Sequence, residues 1–599
     1  MMNALKASDY IDNMLGRLEE LPDGRKQWNG PISHKELESL VFAVQFLGEA
    51  GNDKTYSVQK SEPEQVDFSE KSITTSSNKI LDEKPEAKQL EIPVDFETGD
   101  ADEITIIPVL ESSHTAALPL VTSSLNLPDS PSSARICIDF GTAMSKATLV
   151  YEDETDEFER IVVLPVGAKG NQRVINEYML VSSVYIANNG SMFFGDAAIE
   201  VSNIDAGDER QRLDNIKRRI SEEGLDEKLN QRFNPTGIEI TYRDIVLAYL
   251  MYLTWTINKC TDEEGFQRNI ERRFAMPCLS QVKRIEVERL LRGMLGEAQV
   301  LADTFEMELE SEDGIELATF HSTLVNLRNE KLVYPFVSNS LTEPLGVMGS
   351  ITNWQSDINR LFMIVDIGAG TSDYSLFRIN IDNKNNVRVA NEIRGSSQGI
   401  TEAGNYLDLI LTELIIKKSG ISVNAPAVSL ERWKLEREMR ENKEALFNNS
   451  YLSVELSDGS EVEIQLEEFL ALPQVEKFSN RLREKMVEIL ESVNSDVIDW
   501  VQSDPRQKLV IVLTGGGANL PMVQSLVDGS LEVHGNKLIT GKALAFPTWL
   551  KEDQAELEDD YARIAVSLGG ARENILLQGG AVSVHPTDAH GVRTLGGFY

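Results

Sequence analysis

Cysteine is scarce in this chain: Cys137, Cys260 and Cys278 are the only three among 599 residues, far apart and without a CxxC pair. That excludes a disulfide scaffold and a zinc ribbon. No stretch of eighteen uninterrupted apolar residues occurs, so no membrane span is expected. Met1 to Glu20 alternates charged and apolar residues and lacks the apolar block of a signal peptide, which points to a reducing, cytoplasmic compartment. Basic residues are also few, 58 Lys and Arg against 96 Asp and Glu, for a formal net charge of -38. A phosphate-backbone binder needs the opposite balance, so no nucleic-acid partner is expected. The GxxxxGK[ST] signature of P-loop nucleotide sites is missing, and GAGTSD at 368–373 lacks the last glycine of the dinucleotide fingerprint.

What is present is enough apolar material, 41% of residues, to build several sizeable cores. Residues 1–50 read as a small helical segment, with Leu37, Leu40, Val41, Val44 and Leu47 at helical spacing. From 51 to 133 Ser, Thr, Pro and Glu dominate, the composition of an acidic disordered linker, in which 103–110 (EITIIPVL) suggests a short strand or binding motif. The globular body spans 134–570 and alternates β-branched runs with helical patterns, the signature of an α/β fold. Strands are expected at 135–140, 361–367 and 508–513, and helices at 242–258, 281–295, 405–417 and 430–446. A C-terminal tail fills 571–599.

Two stretches repeat one design. Residues 135–146 read RICIDFGTAMSK, and 363–373 read MIVDIGAGTSD. Each has an apolar strand, an Asp near its end (Asp139, Asp366), a glycine turn with a threonine, and a returning strand. Glycine lets backbone N–H groups approach an anion closely. An Asp supplies a hard oxygen for Mg²⁺, usually through water, and a Thr hydroxyl can donate to a phosphate oxygen. One such turn is an ordinary hairpin; two with the Asp in the same place point to internal duplication. A third cluster, LVIVLTGGGANLP at 509–521, delivers Gly515, Gly516 and Gly517 from a strand, a flat surface for a base or ribose.

The set DFGTAMSK, DIGAGTSD and VLTGGGANLP resembles the phosphate-one, phosphate-two and adenosine motifs of the actin, sugar kinase and heat shock protein 70 superfamily. Four further segments resemble its chaperone branch: 184–198 ending in Gly-Asp-Ala-Ala, 214–220 (DNIKRRI), 342–346 (TEPLG), and 434–446. The resemblance implies the duplicated actin-like, ribonuclease H-like ATPase fold, two lobes around a cleft holding ATP or ADP with Mg²⁺. It implies that Gly141, Thr142, Ala143 and Lys146 grip phosphate from one lobe, and Gly368, Ala369, Gly370 and Thr371 from the other. Gly404, Lys443 and Gly515 to Gly517 would hold the adenosine. Lys217 and Glu343 would position the attacking water, Asp366 would take its proton, and Asp139, Asp366 and Asp373 would hold the hydrated metal. Glu444 departs from the family, standing where the chaperones tend to carry an adenine-stacking arginine.

The fold's closing helix is expected at 561–571, with no substrate-binding β-domain behind it. The function implied is an ATP-hydrolysing switch for a protein partner, engaged through residues 1–130, rather than a peptide chaperone. An actin-like filament former and a small-molecule kinase of the sugar kinase branch are the alternatives. A rival chemistry comes from 395–399 (GSSQG), which fits the loose GxSxG nucleophile elbow, with His534, His585 and His590 downstream. His585, Asp588 and His590 could also be read as a metal cluster, but they sit in a tail without helical spacing. Arg210, Arg212, Arg218 and Arg219 around Lys217 read as a solvated helix face.

Overall fold

The computed structural model describes residues 18–20, 26–28, 116–128, 133–152, 159–169, 176–205, 210–221, 224–279, 281–354, 356–422, 426–503, 509–527, 529–543, 546–551 and 554–579. The chain divides into two units, Met1–Ile106 and Ile107–Tyr599. In the first, Leu18–Glu20 and Lys26–Trp28 pair as an antiparallel ladder, so these six residues are extended where the sequence suggests helix. The apolar-periodic stretch 37–47 and the stretch 103–110 lie outside the described residues.

The second unit is an α/β structure organised by two large sheets. Strands β1 (Ala134–Asp139), β2 (Met144–Glu152), β3 (Glu159–Val163), β4 (Glu271–Met276) and β5 (Val337–Thr342) form the first, in the order β3-β2-β1-β4-β5. Strands β6 (Ile358–Ile367), β7 (Ser372–Asp382), β8 (Val387–Glu392), β9 (Leu509–Thr514) and β10 (Asn536–Lys542) take the same order in the second, β8-β7-β6-β9-β10. Directions match as well. The hairpin-linked pairs β1/β2, β2/β3, β6/β7 and β7/β8 are antiparallel, and β1/β4, β4/β5, β6/β9 and β9/β10 are parallel. Parallel neighbours need a long crossover, and the helices supply it.

Three cores explain why the central strands read as continuous apolar runs. Side chains alternate between the faces of a strand, and here both faces are covered. Ile136 and Ile138 enter one core while Cys137 enters another. Leu361, Met363, Val365 and Ile367 point to an outer core, and Phe362 and Ile364 to a shared one. Leu509 and Ile511 against Val510 and Val512 repeat the pattern. The shared core thus joins the inner faces of both sheets.

Helices α1 (Gly195–Ile204), α2 (Tyr242–Glu263) and α3 (Gln281–Thr304) belong to the first half. α2 starts where expected because Thr241 and Asp244 make a capping box, with Thr241 N–H donating to Asp244 Oδ2 at 2.9 Å. Helix α4 (Glu343–Ile351) follows β5 directly, with Pro344 in its first turn. Helices α5 (Gly404–Ser419), α6 (Pro426–Asn449), α7 (Pro473–Ser492) and α8 (Ser495–Ser503) connect β8 to β9. Helix α9 (Tyr561–Ala571) closes the fold over the residues expected. α3 runs nine residues past its expected end at 295 and α2 five past 258, while the other expected elements differ by no more than four residues at either end.

α4 and α9 cross in the shared core at backbone contact. A Cβ on Gly569 would lie 1.9 Å from the Gly346 carbonyl oxygen, and one on Gly349 would lie 2.7 Å from that of Gly569. Residues 116–128, expected within the linker, belong to the first core instead. Leu118, Leu120 and Leu125 pack on it, and Leu118 N–H donates to Thr323 Oγ1 at 2.9 Å. Among the described residues no helix is long and apolar enough to cross a membrane.

Candidate functional site

The strand ends on the inner faces meet at one place. Asp139 is the last residue of β1 and shares its face with Cys137; Asp366 is the penultimate residue of β6 and shares its face with Ile364. Both project toward the region between the sheets, at the carboxyl ends of parallel strands, where open α/β sheets offer ligand crevices. Their partners across the ladder are Lys146 and Asp373, on equivalent rungs of the two sheets. Asp373 therefore lies on the returning strand, not in the loop.

The first glycine loop is built around Ser182. Its hydroxyl donates to the Gly141 carbonyl at 2.9 Å, and its N–H donates to the Ala143 carbonyl at 2.9 Å. Gly141 admits no side chain, because a Cβ there would sit 1.9 Å from the Met144 carbonyl oxygen. Thr142 is partly exposed at the tip. Lys146 returns to Asp139 at 3.3 Å.

The second loop is held from behind by helix α5. The Gly404 and Asn405 N–H groups donate to the Gly368 and Ala369 carbonyls at 3.1 and 2.7 Å. These are first-turn donors without a helical partner, so loop and helix satisfy each other. The Thr371 hydroxyl donates to Asp373 Oδ2 at 2.7 Å. Thr371 is exposed, and in this arrangement its hydroxyl organises the carboxylate instead of standing free for the phosphate oxygen that the motif suggests. Gly370 is bordered by Arg218, whose Cδ lies 3.5 Å from where a Cβ would be.

The third loop packs on the end of β6. The Gly517 N–H donates to the Ile367 carbonyl at 2.9 Å, and Gly515 takes φ +85°, with a Cβ position only 2.2 Å from Asp366 Oδ1. Gly516 faces open space. Lys443 on α6 reaches Asp408 Oδ1 at 2.6 Å and the Gly404 carbonyl at 3.2 Å. Asp408 has no motif around it and was not legible as a site residue.

Lys217 and Glu343 meet across 126 residues of sequence at 2.5 Å. Ile216 and Ile220, buried in the first core, aim the segment that carries Lys217. Burial opposes the charge on Lys217, yet Glu343, Asp139 and Asp366 together hold its pKa above the ordinary lysine value. Asp366 shows the reverse effect: burial first, then the charges of Glu343, Asp373 and Asp139, push it up to about 8. Burial likewise raises Asp373.

Four carboxylates, Asp139, Glu343, Asp366 and Asp373, thus share a partly closed space with two ammonium groups, Lys146 and Lys217. The imbalance fits a divalent cation. Among the described residues no three His, Cys, Asp or Glu side chains converge as a direct ligand set. Asp139, Asp366 and Asp373 are the residues that could hold such a cation, through the water shell that Mg²⁺ habitually keeps.

The rival elbow does not assemble. Ser397 Oγ donates to Glu392 at 2.7 Å and contacts Ser375 Oγ at 3.2 Å, and a strand, Gln398–Ile400, follows where a nucleophile elbow feeds a helix. His534 sits in a turn at φ +50°, while His585, Asp588 and His590 lie outside the described residues. Of the basic run only Arg218 is an exposed helical residue: Arg210 donates to the Gln231 carbonyl at 3.0 Å, Arg212 pairs with Asp214, and Arg219 covers the Tyr242 ring at 4.2 Å.

A scan against models of known protein families returns no match, and a search of curated protein sequences returns none.

Proposed function

We propose that this chain binds and hydrolyses ATP with Mg²⁺ on a duplicated actin-like fold, close in pattern to the heat shock protein 70 nucleotide-binding domain. In this reading it works as a nucleotide-dependent switch for a protein partner. The observation that carries it is the repeated geometry: two sheets of one strand order aim Asp139 and Asp366 inward from equivalent rungs, each beside a glycine loop. Backbone N–H groups of 141–143 and 368–371 would take the phosphates. Lys146 and Lys217 would neutralise them, with Glu343 fixing the Lys217 ammonium. Asp366 would accept the proton of the attacking water; its ionised form, disfavoured by burial and by Glu343, Asp373 and Asp139, would be favoured again by the charge of a bound Mg²⁺. Bound Mg²⁺ would supply the charge neutralisation that phosphoryl transfer needs, held through water by Asp139, Asp366 and Asp373. The open face of Gly516, with Lys443 anchored nearby, suits the nucleoside.

Closure would run through the α4–α9 crossing, where glycine backbones pack directly on one another and the Ser350 and Tyr561 hydroxyls meet at 2.7 Å. The partner would engage residues 1–130 or the moving faces. Single-turnover hydrolysis of ATP with and without Mg²⁺ tests the chemistry: a Mg²⁺-dependent release of phosphate supports the reading, and tight binding without release would reduce it to a nucleotide sensor.

A further inference from the structure

Helix α2 reaches the first glycine loop through one side chain, Tyr249, that the reading above leaves unused. Tyr249 is fully buried, and its ring stacks on Phe140 with centroids 5.6 Å apart and planes at 28°. Phe140 is the residue between Asp139 and Gly141. The Tyr249 hydroxyl lies 3.0 Å from Ser145 Oγ, 3.2 Å from Ser182 Oγ and 3.3 Å from the Leu180 carbonyl oxygen. Ser145 and Ser182 meet at 3.1 Å, and Ser182 reaches the Gly141 carbonyl at 2.9 Å. Ring and hydroxyl thus hold the loop at its entry, Phe140, and at its exit, Ser145.

Each hydroxyl has one proton to give, and that fixes the direction of the chain. Ser182 gives its proton to the Gly141 carbonyl and accepts from Ser145, which in turn accepts from Tyr249. Burial raises the Tyr249 phenol above its ordinary pKa, so the head of the chain keeps its proton. Linked hydroxyls polarise one another, and the last bond, to Gly141, depends on the first. In a trans peptide the carbonyl and the following N–H point opposite ways. Fixing the Gly141 carbonyl toward Ser182 therefore turns the Thr142 N–H away from it, and among the described residues that N–H finds no acceptor. A carbonyl, which repels an anion, is taken inward while a donor, which attracts one, is left available.

Resting on the nucleotide reading, we propose that Tyr249 is a positioning residue that holds the first glycine loop in its phosphate-binding form. Its hydroxyl acts through Ser145 and Ser182 on the Gly141 carbonyl, and its ring acts on Phe140 beside Asp139. Tyr249 itself touches no phosphate.

The test compares the full chain with Tyr249→Phe, Ser182→Ala, their double variant, and Thr256→Val. Tyr249→Phe keeps the ring on Phe140 and removes only the hydroxyl. Thr256 is buried on the same helix and donates to the Leu253 carbonyl at 2.8 Å, so Thr256→Val removes a buried hydroxyl away from the loop. Dissociation constants are measured for MgATP and for adenosine, which lacks phosphate, and amide exchange is followed at 142–145 without ligand. Tyr249→Phe is expected to weaken MgATP about fivefold, the size of one hydrogen bond, and to leave adenosine unchanged. Exchange at 142–145 is expected to quicken by about the same factor. Ser182→Ala should match it, and the double variant should lose no more than the larger single loss, the mark of one coupled chain. Thr256→Val should bind MgATP as wild type does. Equal losses of MgATP in Tyr249→Phe and Thr256→Val, equal losses of MgATP and adenosine, or additive losses in the double variant overturn the proposal and leave Tyr249 as a core residue. Those results, in a wild type that binds MgATP, remove the proposal alone, whereas wild-type protein that binds no MgATP removes the nucleotide reading with it.

Discussion

Asp366 stands directly opposite Asp373 on the antiparallel rung between β6 and β7, the rung that Asp139 and Lys146 occupy between β1 and β2. Where the first sheet sets an acid against a base, the second sets two acids together. Like charges placed this way destabilise a ladder unless a cation or a proton intervenes.

A stability signature follows from that rung. Asp366 is raised from 3.8 to about 8, so the folded chain binds its proton more tightly than the unfolded chain does. The stability Asp366 contributes is full at low pH and is lost as pH rises from 3.8 through about 8. Without ligand, Asp366→Asn is expected to melt higher than wild type at pH 8, with the gap closing toward pH 5. A gap independent of pH would mean that folding does not raise Asp366.

The ion pair of Lys217 and Glu343 concerns chemistry more than affinity. Lys217→Ala and Asp366→Asn are each expected to slow single-turnover ATP hydrolysis at least about tenfold, roughly 1.4 kcal/mol of barrier. Affinity for ATP should change much less, because the glycine backbones remain. Hydrolysis unchanged in both variants would remove these residues from the mechanism.

The crossing of α4 and α9 leaves no room for a methyl group. Gly569→Ala places a Cβ 1.9 Å from the Gly346 carbonyl oxygen, so the helices must separate. A loss of about 1–3 kcal/mol in denaturant unfolding is expected, the usual cost of overpacking. Gly516→Ala, which meets nothing within 4 Å, serves as the neutral comparison for stability.

Parts of this arrangement are legible in the sequence and parts are not. The strand-Asp-glycine-strand units announce themselves through apolar runs ending in turn residues, and the bounds of α9 follow from the resemblance of 561–571 to the superfamily's closing helix. Which residues share a rung depends on register, so Asp373 read as a loop ligand although it sits within β7. The Asp408–Lys443 and Glu444–Arg563 contacts join positions 35 and 119 residues apart by subtraction of their numbers, and no local pattern marks them. Residues 116–128 read as linker because their composition resembles the stretch before them. Their burial comes from Leu118, Leu120 and Leu125 meeting a core assembled by later residues.

That misplaced boundary gives a truncation test. Removing residues 1–115 is expected to leave ATP binding and melting temperature intact. Removing 1–130 also strips Leu118, Leu120 and Leu125 from the first core, and a loss of a few kcal/mol is expected at about 1.5 kcal/mol or more for each buried leucine, reduced for partial burial. Equal stability of the two truncations would show that the docked segment contributes nothing.

The most direct measurement is the melting temperature of the full chain with ATP, with and without Mg²⁺. A ligand bound only by the folded state stabilises it by about 2.7 kcal/mol at a hundredfold excess over Kd. The account expects a clear upward shift with Mg²⁺ and ATP together, and a smaller shift with ATP alone because the four carboxylates are then unneutralised. No shift at millimolar MgATP with correctly folded protein would contradict the proposed nucleotide site.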